Sequence, residues 1–199
     1  KSAGIEEKAI EQLTVTADRR PSALRSTMPS LDRFASEELK TIDADHITEL
    51  LNQSAGVAFH RGSGVEYLGA IRSPVFSGGA GAGSFLLLED GISTRSSGFA
   101  NVNGLSETFF EAAGSVEVIK GPGSALYGSN AVHGTVNVIS PSLREATNNL
   151  RISTGSHGFT QFYGNAQTNT ETSSYRADAF VARDDGYRES SGFDQQKIK

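Results

Sequence analysis

From Leu150 onward, apolar and polar residues take turns along the chain. Leu150, Ile152 and Thr154 alternate with Arg151 and Ser153; Phe162, Gly164 and Ala166 alternate with Gln161, Tyr163, Asn165 and Gln167; Tyr175, Ala177, Ala179 and Val181 alternate with Arg176, Asp178 and Phe180. A strand points successive side chains to opposite faces, so a period of two builds a sheet with two unlike faces. Gly155, Gly158 and the polar run 168–174 divide the pieces, which specifies antiparallel strands joined by turns. Two folds meet this pattern. A soluble sheet keeps one face on a core and the other in water. A membrane barrel turns its apolar face to lipid and its polar face to a lumen. Periodicity leaves both open.

The chain ahead of Pro141 reads differently. Residues 1–30 are polar, carry Pro21 and Pro29, and contain one short alternating piece, Leu13-Thr14-Val15-Thr16-Ala17. This composition predicts a mobile segment with one strand-forming stretch. Globular patterning begins at Leu31, with a strand end at Phe34 and a helical turn from Ser36. Asp45 is positioned to cap a helix bearing Ile47, Leu50 and Leu51, an i, i+3, i+4 stripe. Gly56 follows the helix end, and Val57 and Phe59 belong to a strand. The glycine-rich loop 78–83 leads into a strand at Ser84–Glu89, closed by the turn signal Asp90-Gly91. Leu105–Ala113 reads as one short helix stopped by Gly114. Ser115–Lys120 and Thr135–Ser140 read as strands either side of a tight turn at 123–128.

Several classes of chemistry are excluded. The net charge is −5 and the basic residues are scattered, whereas nucleic-acid binding needs a basic stripe. The chain has no cysteine, which removes disulfides and thiol chemistry. No apolar run approaches the ~18 residues of a membrane helix. The chain starts at Lys1 with no charged-then-apolar leader, which fits either a cytoplasmic protein or one whose signal peptide is gone. Glycine is abundant, at 22 residues, yet no glycine cluster has Walker A or G-x-G-x-x-G spacing. His46, His60, His133 and His157 are far apart and read as surface or loop residues. No serine has the G-x-S-x-G context, and the acidic pairs are sequence neighbours that diverge on a helix or strand. No enzyme activity, cofactor or metal is therefore expected.

What remains is pairing. Glu11-Gln12-Leu13-Thr14-Val15-Thr16-Ala17 is a β-prone stretch in a polar tail, suited either to adding onto a partner's sheet or to an edge of its own. These residues, with Asp18-Arg19-Arg20 after them, resemble the TonB box of TonB-dependent outer-membrane receptors. Further motifs follow in the order of that family's plug domain: Ile47-Thr48-Glu49-Leu50-Leu51 with Ala55-Gly56-Val57, Ala70-Ile71-Arg72, Phe85-Leu86-Leu87-Leu88-Glu89-Asp90-Gly91-Ile92, Val116 to Gly128 (VEVIKGPGSALYG), and Gly134 to Ile139 (GTVNVI). Asp185-Gly186-Tyr187-Arg188 resembles a motif after an early barrel strand.

The resemblance implies an α+β fold: a plug with a small mixed sheet and short helices, followed by antiparallel strands of a truncated transmembrane barrel. It implies a mobile segment at 1–30 with the TonB box at 11–17, a plug at 31–147 and the first barrel strands at 148–199. A barrel of about 22 strands has a lumen wide enough to need such a plug. The resemblance further implies that Glu11, Gln12, Leu13, Thr14, Val15, Thr16 and Ala17 bind the TonB C-terminal domain, and that Arg72 and Lys120 lock the plug to barrel acids. Lys120 stands where the family carries arginine, and it keeps the charge without the bidentate fork. Ser77, Gly78, Gly79 and Arg95 are candidates to face a small nutrient ligand. The implied partners are TonB, the chain's own barrel and that ligand; the implied location is the outer membrane, with the N-terminal segment in the periplasm. A soluble periplasmic β-rich binding module is the alternative. A signalling receptor of the same family is a second, although only about ten residues precede the box here.

Overall fold

The computed structural model describes residues 14–15, 22–23, 30–73, 85–94, 104–128, 131–143 and 148–199. In chain order the elements are β1 (Thr14–Val15), β2 (Ser22–Ala23), β3 (Ser30–Phe34), α1 (Ser36–Ile42), α2 (Ile47–Leu51), β4 (Val57–Arg61), β5 (Tyr67–Ile71), β6 (Phe85–Glu89) and β7 (Ile92–Ser93). Then come α3 (Gly104–Glu107), a 3-10 turn at Phe110–Ala112, β8 (Ser115–Lys120), α4 (Ser124–Tyr127), β9 (Gly134–Ile139), β10 (Asn149–Thr154), β11 (Thr160–Asn169), β12 (Ser174–Asp184) and β13 (Phe193–Ile198).

Strand β8 is buried along its whole length: Val116 and Val118 face the core, and the polar Ser115, Glu117 and Lys120 are enclosed with them. It sits inside a mixed five-stranded sheet of order β3-β8-β9-β6-β7, in which β6 and β9 run parallel and the other pairs antiparallel. Val116, Val118, Val136 and Val138 project from one face onto Leu50 and Leu51 of α2, all 0–1% exposed. The stripe read from Ile47, Leu50 and Leu51 is therefore the face that the helix buries. The β4–β5 hairpin closes the cluster with Phe59, Tyr67 and Ile71. Phe59 lies opposite Gly69 across that hairpin, where a Cβ would sit 2.2 Å from its ring; the missing side chain makes the aromatic's seat.

Asp90 and Gly91 both take positive φ, 51° and 79°, the geometry of the two-residue hairpin turn read from Asp-Gly. Two expectations are corrected. The cap of α2 is His46, not Asp45: the extended His46 accepts from the Thr48 N–H at Nδ1, and the Asp45 N–H instead donates to the Glu49 carboxylate at 3.1 Å. Leu105–Ala113 is not one helix. It divides into α3 and the 3-10 turn, and between them the Phe109 N–H donates to the Glu89 carboxylate rather than to a helical carbonyl.

Gly134 pairs with Lys120 on one side and Phe85 on the other. A Cβ there would lie 2.6 Å from the Ile119 carbonyl oxygen and 2.7 Å from the Ile71 side chain. Backbone cannot step aside as a side-chain tip can, so Gly134→Ala is expected to destabilise the fold by about 2–3 kcal/mol. Chemical unfolding of the chain in detergent measures this, and an unchanged midpoint would refute the close packing of β9 on β8.

Strands β10 to β13 form a separate antiparallel sheet in sequence order, β10-β11-β12-β13. Its alternation is strict. Leu150, Ile152, Phe162, Tyr175, Val181 and Ile198 stand on the exposed face, and Gln161, Tyr163, Asp178, Phe180 and Ala182 are buried on the other. The buried face is the one turned to the first unit. Strand β13, Phe193–Ile198, was not legible beforehand.

Candidate functional site

Cations recur on the inward face of the second sheet, and three of them, Arg151, Lys197 and Lys199, meet acids of the first unit. Arg151 of β10 donates to Asp43 at 2.8 Å. Lys197 of β13 donates to both Glu111 oxygens at 2.9 and 3.0 Å and to the Thr108 carbonyl at 2.9 Å. Lys199 donates to Glu89, to Asp90 at 2.9 Å and to the Ser140 hydroxyl at 2.7 Å. Between these links Phe109 and Ala112 pack on Tyr163, Phe180 and Ala182. Arg176 and Asp178, 8% and 4% exposed, complete the inner face with a satisfied network through the Tyr163 hydroxyl.

The links differ in strength by their surroundings. The Lys197–Glu111 side chains are 12% and 10% exposed, and removing one partner of so buried a pair costs about 3–5 kcal/mol. The Arg151–Asp43 side chains are 35% and 68% exposed, and such a pair contributes about 0–1 kcal/mol. A polar cleft of about 240 Å³ lies beside this second pair, between α1 and β10–β12.

A second polar cluster ties the start of β3 to the sheet. Lys120, 6% exposed, donates to Asp32 at 2.6 Å, and the Ser54 hydroxyl donates to the same oxygen. Burial pulls the Asp32 carboxyl upward, but the hydrogen bonds from Lys120 and Ser54 and the charges of Lys120 and Arg72 outweigh it and hold it below the usual carboxylate range. Arg72 is exposed, takes a left-handed φ of 48°, and donates to the Lys120 carbonyl at 3.2 Å and to the Ser30 hydroxyl at 2.7 Å. The structure thus brings Arg72 and Lys120 together around Asp32.

His46 is not the surface residue that its sequence context suggested. It is 9% exposed, with Nδ1 accepting from the Thr48 N–H and Nε2 3.3 Å from the Val65 carbonyl oxygen, so the proton belongs on Nε2. Burial, with help from the Arg61 charge, pushes its pKa down from 6.5 to about 4. The imidazole is neutral in the fold but takes a proton more readily in the unfolded chain. Stability from this group is complete above about pH 6.5 and is lost as pH falls toward 4, by on the order of 3 kcal/mol. Unfolding compared at pH 7 and pH 4.5 should show a larger loss in the native chain than in His46→Asn, which keeps a cap without titrating. Equal losses would refute the assignment.

Of the expected TonB-binding residues, Thr14 and Val15 pair with Ala23 and Ser22 in a small antiparallel hairpin; Glu11, Gln12, Leu13, Thr16 and Ala17 lie outside the described residues. So do Ser77, Gly78, Gly79 and Arg95. Arg151, Lys197 and Lys199 were missed. The signal for Arg151 was present, since it falls in phase with the polar face of an alternating strand.

The family model of the TonB-dependent receptor plug domain matches residues 23–135. The chain belongs to this family. A curated relative, the vitamin B12 transporter BtuB of Vibrio vulnificus (strain CMCP6), is 29% identical over 185 residues, 92% of this chain and 29% of its own length. The chain thus spans under a third of that relative. Solved structures share the fold. The alcaligin outer-membrane receptor FauA of Bordetella pertussis is 15% identical with a TM-score of 0.68, over 92% of this chain and 30% of its own. The pyoverdine receptor FpvA of Pseudomonas aeruginosa PAO1 is 18% identical with a TM-score of 0.65, over 86% and 24%. The unit built on the five-stranded sheet carries the plug motifs, and the β10–β13 sheet is the wall against which the plug packs.

Proposed function

We propose that this chain is the plug, with the first wall strands, of an outer-membrane transporter that imports a scarce nutrient and draws its energy through TonB. The wall sheet carries the proposal. Leu150, Ile152 and Ile198 are 64%, 65% and 89% exposed on its outer face, while the inner face holds the cations that grip the plug. A soluble module has no reason to hold such a stripe in water, whereas lipid supplies its solvent. Strands of 10 and 11 residues in β11 and β12 match the ~9–11 residues of a tilted membrane crossing. No described helix is long and apolar enough to cross a membrane, and a strand-built crossing requires none.

The relatives carry cobalamin or bind siderophores, and a compound of one of these classes is the proposed cargo, met by loops that include Ser77, Gly78, Gly79 and Arg95. Glu11 to Ala17 are the proposed coupling strand. It leaves its hairpin with Ser22–Ala23 and adds to the sheet of the TonB C-terminal domain in the periplasm, where backbone pairing resists a pull along the chain. Locking to acids elsewhere on the wall falls to Arg72, which is exposed and has a forked head. Lys120 is buried and spends its charge on Asp32.

Binding of a peptide covering residues 8–20 to a TonB C-terminal domain tests the coupling. Saturable binding that a Val15→Pro peptide loses supports it; equal binding of both peptides, or of neither, refutes it. Uptake by the full-length receptor under iron or cobalamin limitation then identifies the cargo.

A further inference from the structure

The inner face of the wall carries hydrogen-bond donors that the plug leaves unused. Arg176 is fixed from one side: its Nε donates to the two Asp178 oxygens at 3.0 and 2.8 Å, and its Nη2 donates to Asp178 at 2.7 Å and to the Tyr163 hydroxyl at 2.9 Å. Nη1 takes no part in that network. Arg151 meets the same tyrosine over its ring, 5.9 Å from the centroid. It donates to Asp43 through Nη1, and its Nε is buried with no hydrogen-bond partner. A guanidinium carries more N–H donors than these bonds use, so two incompletely satisfied forks stand around one aromatic side chain.

Both forks line the cleft of about 240 Å³ between α1 and β10–β12, and Lys40 of α1 lines it from the plug. Lys40 and its partner Glu37 are both exposed, and so solvated a pair does little to hold the ammonium where it is. Two acids line the cleft as well, Asp43 and Glu111. Glu111 spends both oxygens on Lys197. Asp43 holds Arg151 at a single nitrogen and is mostly in water. Asp178, which neutralises Arg176, is 4% exposed and does not line the cleft. Leu39, Ala113 and Pro141 line the plug side, and apolar walls strengthen any charge contact made between them.

We infer that this cleft binds a small oxyanion, a phosphate or a carboxylate, held by the open edges of Arg151 and Arg176 with Lys40 turning in to meet it. Arginine forks match the paired oxygens of such a group. Arg176 is pre-organised, because Asp178 and Tyr163 already fix its plane and little freedom is lost on binding. The volume admits a phosphate or a short dicarboxylate and falls below the ~300–1,000 Å³ of a drug-sized site. An anion there links α1 to β10 and β12 and tightens the plug on its wall. Such binding needs neither TonB nor a particular cargo.

The full-length receptor in detergent is titrated with inorganic phosphate and, separately, with succinate, at constant ionic strength in chloride. Calorimetry reads the affinity. Isotope-labelled arginine reads the Nε–H groups by magnetic resonance, and Arg151→Lys identifies the Arg151 signal by its loss. Saturable binding is expected, with the Arg151 Nε–H signal moving along the same curve. Arg151→Met is expected to weaken binding at least about tenfold, since it removes charge-assisted hydrogen bonds. Asp43→Asn is expected to tighten it about threefold by withdrawing a negative charge from the lining. Arg183→Met, at an exposed wall arginine outside the cleft, should leave it within about twofold. Saturating phosphate should also raise the unfolding midpoint of the native receptor more than that of Arg151→Met. An Arg151 Nε–H signal that neither anion moves overturns the inference, and so does native affinity in Arg151→Met.

Discussion

A full-length receptor carrying Val15→Pro is expected to bind its nutrient normally and to import none of it. Proline has no N–H and fixes φ, so it removes a ladder donor from any strand it enters. Residue 15 pairs with Ser22 in a two-stranded sheet separate from the five-stranded one. The plug should therefore keep its stability and its ligand contacts. On the proposed coupling the damage falls on the strand added to TonB, where one unmade backbone bond costs about 1–3 kcal/mol, roughly tenfold to hundredfold in affinity. A coupling that must hold under load tolerates less than that. Leu13→Pro should behave in the same way, and Val15→Thr, which keeps the donor and the β-propensity, should transport. The decisive comparison is binding against uptake in the same cells. Uptake by Val15→Pro at the native rate would refute residues 11–17 as the coupling strand.

The sequence disclosed elements whose pattern has one owner. The alternation from Leu150 to Val181 can only be strand, and its phase already separated Arg151, Tyr163 and Asp178 from Leu150, Ile152 and Val181. What it withheld was which face met which medium. A barrel reverses the soluble rule, so Phe162 and Val181 point outward, and only the plug behind the sheet discloses that. β13 escaped because Asp194, Gln195, Gln196 and Lys197 are polar on both faces, and its partner β12 holds it in place. The break at Phe109 was invisible because its cause is distant: Glu89, twenty residues earlier, takes the N–H that a helix would have used. His46 shows the same limit. Asp is the better cap by preference, but Thr48 and Val65 give the imidazole a seat that no local rule anticipates. The acids and cations of the interface were all visible as residues, and their pairing required the fold.

Glu111→Ala is expected to be the most damaging single change at that interface. It leaves the Lys197 ammonium, 12% exposed, with the Thr108 carbonyl and the Phe180 ring, 5.4 Å from its centroid, in place of two carboxylate oxygens. A charge so enclosed cannot recover its hydration, and the loss is about 3–5 kcal/mol, or a fall of roughly 10 °C in the unfolding midpoint for a chain of this size. Asp43→Ala removes a link of similar length from a solvated position, and its cost should stay within about 1 kcal/mol. Glu111→Leu combined with Lys197→Met separates charge from shape. It removes both ions and keeps apolar volume against Phe109 and Phe180, so it should recover most of the stability that either single change loses. Thermal unfolding in detergent of the native chain, Glu111→Leu, Lys197→Met and the double variant gives the coupling energy directly, and Glu111→Ala and Asp43→Ala are measured beside them. If Glu111→Ala and Asp43→Ala cost the same, or if the double variant is merely the sum of its parts, then the burial of Lys197 does not set the strength of the plug's hold on its wall.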